Sequence, residues 1–71
     1  MDASQWLSAY AQRLGVEPPS AEEVEAVLAL AGVAAHGSER IAAPVSTWLV
    51  ARAGIDLQDA LRIAREVSGD G

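Results

Sequence analysis

The sequence predicts an all-α protein: a compact bundle of about four short helices with a proline-associated kink or junction near residues 37–44. Three observations lead there. Apolar residues recur at i, i+3 and i+4 along most of the 71 residues. No stretch of useful length alternates apolar and polar with the period of two that a half-buried strand requires. Pro18 with Pro19, Gly37 and Gly54 divide the pattern into helix-sized pieces.

The first helix is predicted over 3–14. Trp6, Leu7, Tyr10, Ala11 and Leu14 share one face, Asp2 or Ser4 can cap its start, and Gly15 supplies the residue after its end. Pro18 and Pro19 then force extended backbone, because each disfavours helical dihedrals in the residue before it. Ser20 with Glu23 matches the capping box, in which the hydroxyl accepts from the Glu23 amide and the Glu23 carboxylate accepts from the Ser20 amide. A second helix over 21–36 follows. Glu22, Glu23 and Glu25 lie in its first turns, where the positive end of the helix dipole favours anions, so this acidic cluster has a sufficient structural reason.

Val24, Val27, Leu28, Ala31 and Ala35 form one face of this helix, widened by Leu30 and Val33, so it is apolar around much of its circumference and is expected to be the central one. Residues 29–35 are nearly all small, permitting close approach by a neighbouring helix. The third helix is placed at 39–53, with Ile41, Val45, Trp48, Leu49 and Arg52 on one face. Asp56 caps a fourth over 57–68, where Leu57, Ala60, Leu61, Ala64 and Val67 make an apolar stripe and Arg62 pairs with Glu66 outside. Residues 68–71 are expected to fray. No repeat is visible, and 1–71 reads as a single domain.

Composition narrows the function classes. So short a chain buries only about 60% of the surface its unfolded form exposes. It has no cysteine, hence no disulfide and no thiolate metal site, and no phenylalanine. Core volume rests on aliphatic residues with Trp6, Trp48 and Tyr10, so a protein partner or homo-oligomer is expected to complete it. A net charge of −5 opposes the counterion release that drives nucleic-acid binding, which excludes that partner class. Arg52, Arg62 and Arg65 read as a solvated face. No membrane is expected either: no 18-residue apolar run occurs, and the first residues lack a signal peptide's basic and apolar regions. The expected location is the cytoplasm.

Chemistry concentrates at 34–44, which holds the single histidine. Pro44 has no amide hydrogen and clashes with the Arg40 carbonyl in a continuous helix. Two courses are open. In one, Gly37 takes a left-handed position after the second helix and Ser38 caps a helix bent at Pro44. In the other, 38–43 is a short turn and Pro44 is the first helical residue. Free amides at Gly37, Ser38 and Glu39, together with Arg40 and His36, would then suit a phosphate or carboxylate. The plainer reading has His36 capping the second helix, Arg40 paired with Glu39 or a carbonyl, and Pro44 setting a bend.

Catalysis finds little support. His36 with Glu39 is half a metal site at most, so no metal and no cofactor are expected. Ser38 lacks a base held in reach by a third group, and no carboxylate sits in an isolated apolar setting. Trp6 and Trp48 are expected in the core, with interface anchors as the alternative.

The pattern of Leu30, Ala34, Ala35, His36, Arg40, Ala42, Ala43, Pro44 and Leu49, behind an N-terminal tryptophan and a Leu14-Gly15 pair, resembles the small bacterial domain of unknown function 6457. The similarity covers most of the chain, and Ala-His-x-x-x-Arg-x-Ala-Ala-Pro is its most specific part. It implies that His36, Arg40, Ala42, Ala43 and Pro44 carry over. In some relatives the segment follows a nucleotidyltransferase domain of the molybdenum-cofactor guanylyltransferase type, which implies an accessory role in molybdenum-cofactor or nucleotide metabolism. Ile41 departs from the proline-like residue expected after the arginine, and Gly54 comes later than the glycine expected after Leu49. With no nucleotidyltransferase domain here, no activity is carried over. The preferred reading is a non-catalytic interaction domain. The alternatives are a small anion- or nucleotide-phosphate-binding module and a helical homodimer with a structural role.

Overall fold

The computed structural model describes residues 1–69. Four helices follow one another, α1 (Ala3–Leu14), α2 (Ala21–Gly37), α3 (Ala42–Ala53) and α4 (Leu57–Val67), with no strand among the described residues. The expected fraying at 68–71 lies partly, at Asp70 and Gly71, outside the described residues. No helix is long and apolar enough to cross a membrane.

Local hydrogen bonds define most helix ends. Asp2, rather than Ser4, caps α1: its carboxylate accepts from the Gln5 amide at 2.8 Å, and the Gln5 side chain accepts from the Asp2 amide at 2.9 Å. The capping box of α2 forms in both directions, Glu23 N to Ser20 Oγ at 3.1 Å and Ser20 N to Glu23 Oε1 at 2.8 Å. Asp56 accepts from the amides of Gln58 and Asp59 at the start of α4. Gly15 and Gly54 end α1 and α3 at φ 77° and 68°, the left-handed region that β-carbons disfavour. Arg62 reaches Glu66 at 3.0 Å and Asp59 at 3.9 Å, an exposed network worth little stability.

The central helix is α2, against which both α3 and α4 pack. Leu30 is its most buried residue, 2% exposed, with Ala26, Ala60 and Leu61 around it. The α2 core is centred on Leu30, which widens the predicted face, and on Ala26, which lies outside it, rather than on Val24, Val27, Leu28, Ala31 and Ala35. Leu28 is exposed and the other four are half-buried. On a helix apolar around most of its circumference, periodicity does not select among overlapping arcs; the neighbours do.

α3 departs further. The shared face predicted for it is its outer one: Ile41, Val45, Trp48 and Leu49 are all exposed. The half-buried side is Ala42, Ala43, Ser46, Thr47 and Val50. Small residues on α3 thus meet the small-residue stretch of α2, allowing the backbones to approach, whereas an intervening indole would hold the helices apart. The hydroxyls on this side bond within α3, Ser46 to the Ala43 carbonyl at 2.9 Å and Thr47 to the Pro44 carbonyl at 2.7 Å, so their burial costs little. Val67, predicted in the α4 stripe, is 83% exposed.

Such packing leaves surface uncovered. The chain exposes 5528 Å², where a folded monomer of its 7.4 kDa mass exposes about 4,200 Å². The radius of gyration is 12.7 Å, against about 11 Å for a domain of this length.

Candidate functional site

The junction between α2 and α3 follows neither predicted course in full. Gly37 is the last residue of α2 and is not left-handed; among the described residues only Gly15, Gly54 and Gly69 have positive φ. Ser38 does not cap α3. It closes α2, its amide donating to the Ala35 carbonyl at 3.4 Å and its hydroxyl to the Ala34 carbonyl at 2.7 Å. The chain then turns through 39–41, and α3 begins at Ala42, three residues later than the predicted 39, so Pro44 is its third residue rather than its first or a mid-helix kink.

The proline's missing donor explains this start. The Glu39 and Arg40 carbonyls accept from the Ala42 and Ala43 amides at 3.0 and 3.1 Å. Arg40 thereby keeps a partner for the carbonyl that a proline at i+4 leaves unbonded. With those two donors engaged and Pro44 having none, α3 needs no side-chain cap, and Ile41 provides none.

These bonds thin the amide cradle expected for an anion. Gly37 lies within α2, the Ser38 amide is engaged, and of the three amides only that of Glu39 is left without a partner among the described residues. His36 and Arg40 are exposed, and the expected pairing of Arg40 with Glu39 is not formed. His36 lines a shallow depression with Ala29, Gly32, Val33, Gly37 and Ser68, of which Arg40 is not part. The structure thus brings His36 and Gly37 together and sets Arg40 apart on the turn. Gly37 has a steric role here: a β-carbon would sit 2.5 Å from Ser68 Oγ and 3.1 Å from Ser68 Cβ, so its absence lets the C-terminal ends of α2 and α4 close up. No group of three metal-ligating side chains assembles among the described residues.

The most apolar depression is one the sequence reading did not anticipate. An apolar groove of about 430 Å³ opens between α3 and α4 above the second half of α2. Leu30 and Ala60 lie at its base, and Leu49, Ile63 and Val67 stand exposed along its rims. Ile55 closes one end, and Ser38 and Ser68 close the other. Leu49 also belongs to the outer stripe of α3, so the groove runs without interruption into Ile41, Val45 and Trp48. Trp48 is 58% exposed, with the Arg52 guanidinium 5.1 Å from its ring centre. That cation–π contact holds the indole along the helix. Trp6 is 52% exposed and packs on Tyr10, ring centres 5.0 Å apart. The expectation that either tryptophan fills the core is overturned. The available clue was compositional: α3 has one small-residue side and one large-residue side, and α2 offers small residues to meet the first.

Fold and site together define a small all-α domain built on one central helix, with an apolar groove between α3 and α4. The chain belongs to the family described as Domain of unknown function (DUF6457), whose model matches residues 1–68. No curated protein and no solved structure matches it significantly. His36, Arg40, Ala42, Ala43 and Pro44, where the sequence pattern placed the resemblance, lie at the α2–α3 junction described above.

Proposed function

We propose that this domain is a non-catalytic interaction module that docks a protein partner on its α3–α4 face. The observation that carries this reading is the continuity of the groove with the exposed Ile41, Val45 and Trp48 stripe. Monomeric proteins rarely leave large contiguous apolar surface to solvent, and such patches mark binding sites. Tryptophan and arginine are also the residue types enriched at interface hot spots, and Trp48 and Arg52 lie together on this surface. A groove between two helices suits an apolar helix face, read as anchors at i, i+3 or i+4 and i+7.

The metabolic setting rests on the family resemblance alone: an accessory role beside a molybdenum-cofactor or nucleotide-handling enzyme. Photocrosslinking tests the docking reading. A benzophenone amino acid at position 48 is expected to give a defined adduct with a protein, while one at Gln58, exposed in the first turn of α4, gives none. No adduct at 48 above that control would sink it.

A further inference from the structure

We infer that α1 is a strap for the α3–α4 groove: it swings from its present seat at the start of α2, lays its aromatic face between α3 and α4, and closes the groove to other occupants. The closure stands on the geometry of this chain, and what it regulates rests on the docking reading.

The seat is the first observation. α3 and α4 pack on α2, whereas α1 makes no comparable contact with any of the three. Ala11 is its one buried residue, and a depression lies between Ser4, Leu7 and Ser8 on α1 and Pro19, Ala21 and Val24 at the start of α2. The helix thus rests by its small, partly polar side. Trp6, Tyr10 and Leu14 stack at i, i+4 and i+8 down its apolar stripe, and all three are exposed. Two apolar surfaces are therefore uncovered, one on α1 and one on α3–α4, and a single movement covers both.

Reach and direction follow from the tether. Ser20, where α2 is capped, lines a depression together with Ile55, and Ile55 also closes one end of the groove. The C-terminal end of α1 is consequently tied beside the groove's entrance. Residues 15–19 span up to about 17 Å when extended. With 12 residues, α1 is about 18 Å long, which matches α3 at 12 residues. Tied at its Leu14 end, α1 runs from Ile55 toward Ser38 and Ser68.

Charge fits this direction. Arg13, in the last turn of α1, has no carboxylate partner among the described residues. In the groove it comes to the first turn of α4, where Asp59 is exposed and lies 3.9 Å from Arg62. No carboxylate occurs within α1, so Glu39, Asp59 and Glu66 beside the groove do not oppose it. Asp2, just outside the helix, comes to the 39–41 turn, where Arg40 has no ion-pair partner among the described residues.

Photocrosslinking within the chain is the test, with a benzophenone amino acid in place of Tyr10 and the full chain irradiated alone at low micromolar concentration. Trypsin separates residues 1–13 from 14–40 and from 41–52. An adduct joining 1–13 to 41–52, at the mass of one chain, is expected. Leu49→Glu on the groove rim should lower its yield about 10-fold, with helical circular dichroism unchanged because Leu49 is exposed. Leu28→Glu, on the exposed part of α2, should leave the yield as it is. Adducts confined to 14–40 report the present seat and would overturn the strap, as would a 41–52 adduct indifferent to Leu49→Glu. An adduct of twice 7.4 kDa that grows with concentration would assign α1 to the groove of a second copy and overturn it too. A protein captured by the probe at position 48 without the internal adduct leaves the docking reading standing and removes the strap. The internal adduct without any captured protein leaves the closure standing and removes the docking reading.

Discussion

Gly37 illustrates at the residue scale why identity and role are separate questions. A glycine after an apolar helix reads as a left-handed terminator, yet this one completes α2 and serves by leaving room for Ser68. Opposing effects follow for Gly37→Ala: alanine's helix propensity favours it by up to about 1 kcal/mol, and the crowded Ser68 Cβ opposes it. The expected net change in unfolding free energy is small. Gly37→Val adds branching at the same contact and should cost about 1–3 kcal/mol in urea denaturation. Ser20→Ala removes one half of a formed capping box and should cost about 1 kcal/mol by the same measurement. The α2–α3 turn gives an NMR prediction. A phosphate titration should leave the Ala42 and Ala43 amides unmoved, because their hydrogens already bond the Glu39 and Arg40 carbonyls. Their displacement would show that an anion opens the turn.

Elements were legible where their signals are local. Caps at Asp2, Ser20 and Asp56 and terminators at Gly15 and Gly54 work through hydrogen bonds and dihedrals within a few residues, and all five act as their positions imply. The beginning of α3 was not legible in the same way, since Ser38 and Pro44 each support more than one course. The choice fell to carbonyls at Glu39 and Arg40 that needed donors. Nor was the orientation of α3 legible, because it depends on the surface of α2. Ala43, half-buried on the inward side, tests that orientation. Ala43→Leu should cost about 1–3 kcal/mol through overpacking, whereas Leu28→Ala, on the exposed part of α2, should stay within about 0.5 kcal/mol.

At the scale of the molecule, the few buried side chains among the described residues are Ala11, Ala26, Leu30, Ala60 and Leu61. Total stability for a chain of this length is about 4–10 kcal/mol, and Leu30→Ala should remove about 2–5 kcal/mol of it. That variant is expected to show the largest fall in thermal midpoint of those named. The candidate site follows the same division. The residues proposed for an anion were legible as a polar cluster within 34–44, but the hydrogen bonds of the turn decide which donors are free. The groove has no sequence signature, since Leu30, Leu49 and Val67 come from three different helices.

By itself the sequence determined that this chain is all-α, and which residues cap and end most of its helices, because those interactions close within one turn of backbone. Only the tertiary structure decided which faces turn inward. Small residues on α2 and α3 bring the two helices together, and close approach there requires Trp48, Val45 and Ile41 to point away. The same choice turns the large apolar residues of α3 to the surface, a consequence of distance between helices that no spacing along one helix encodes.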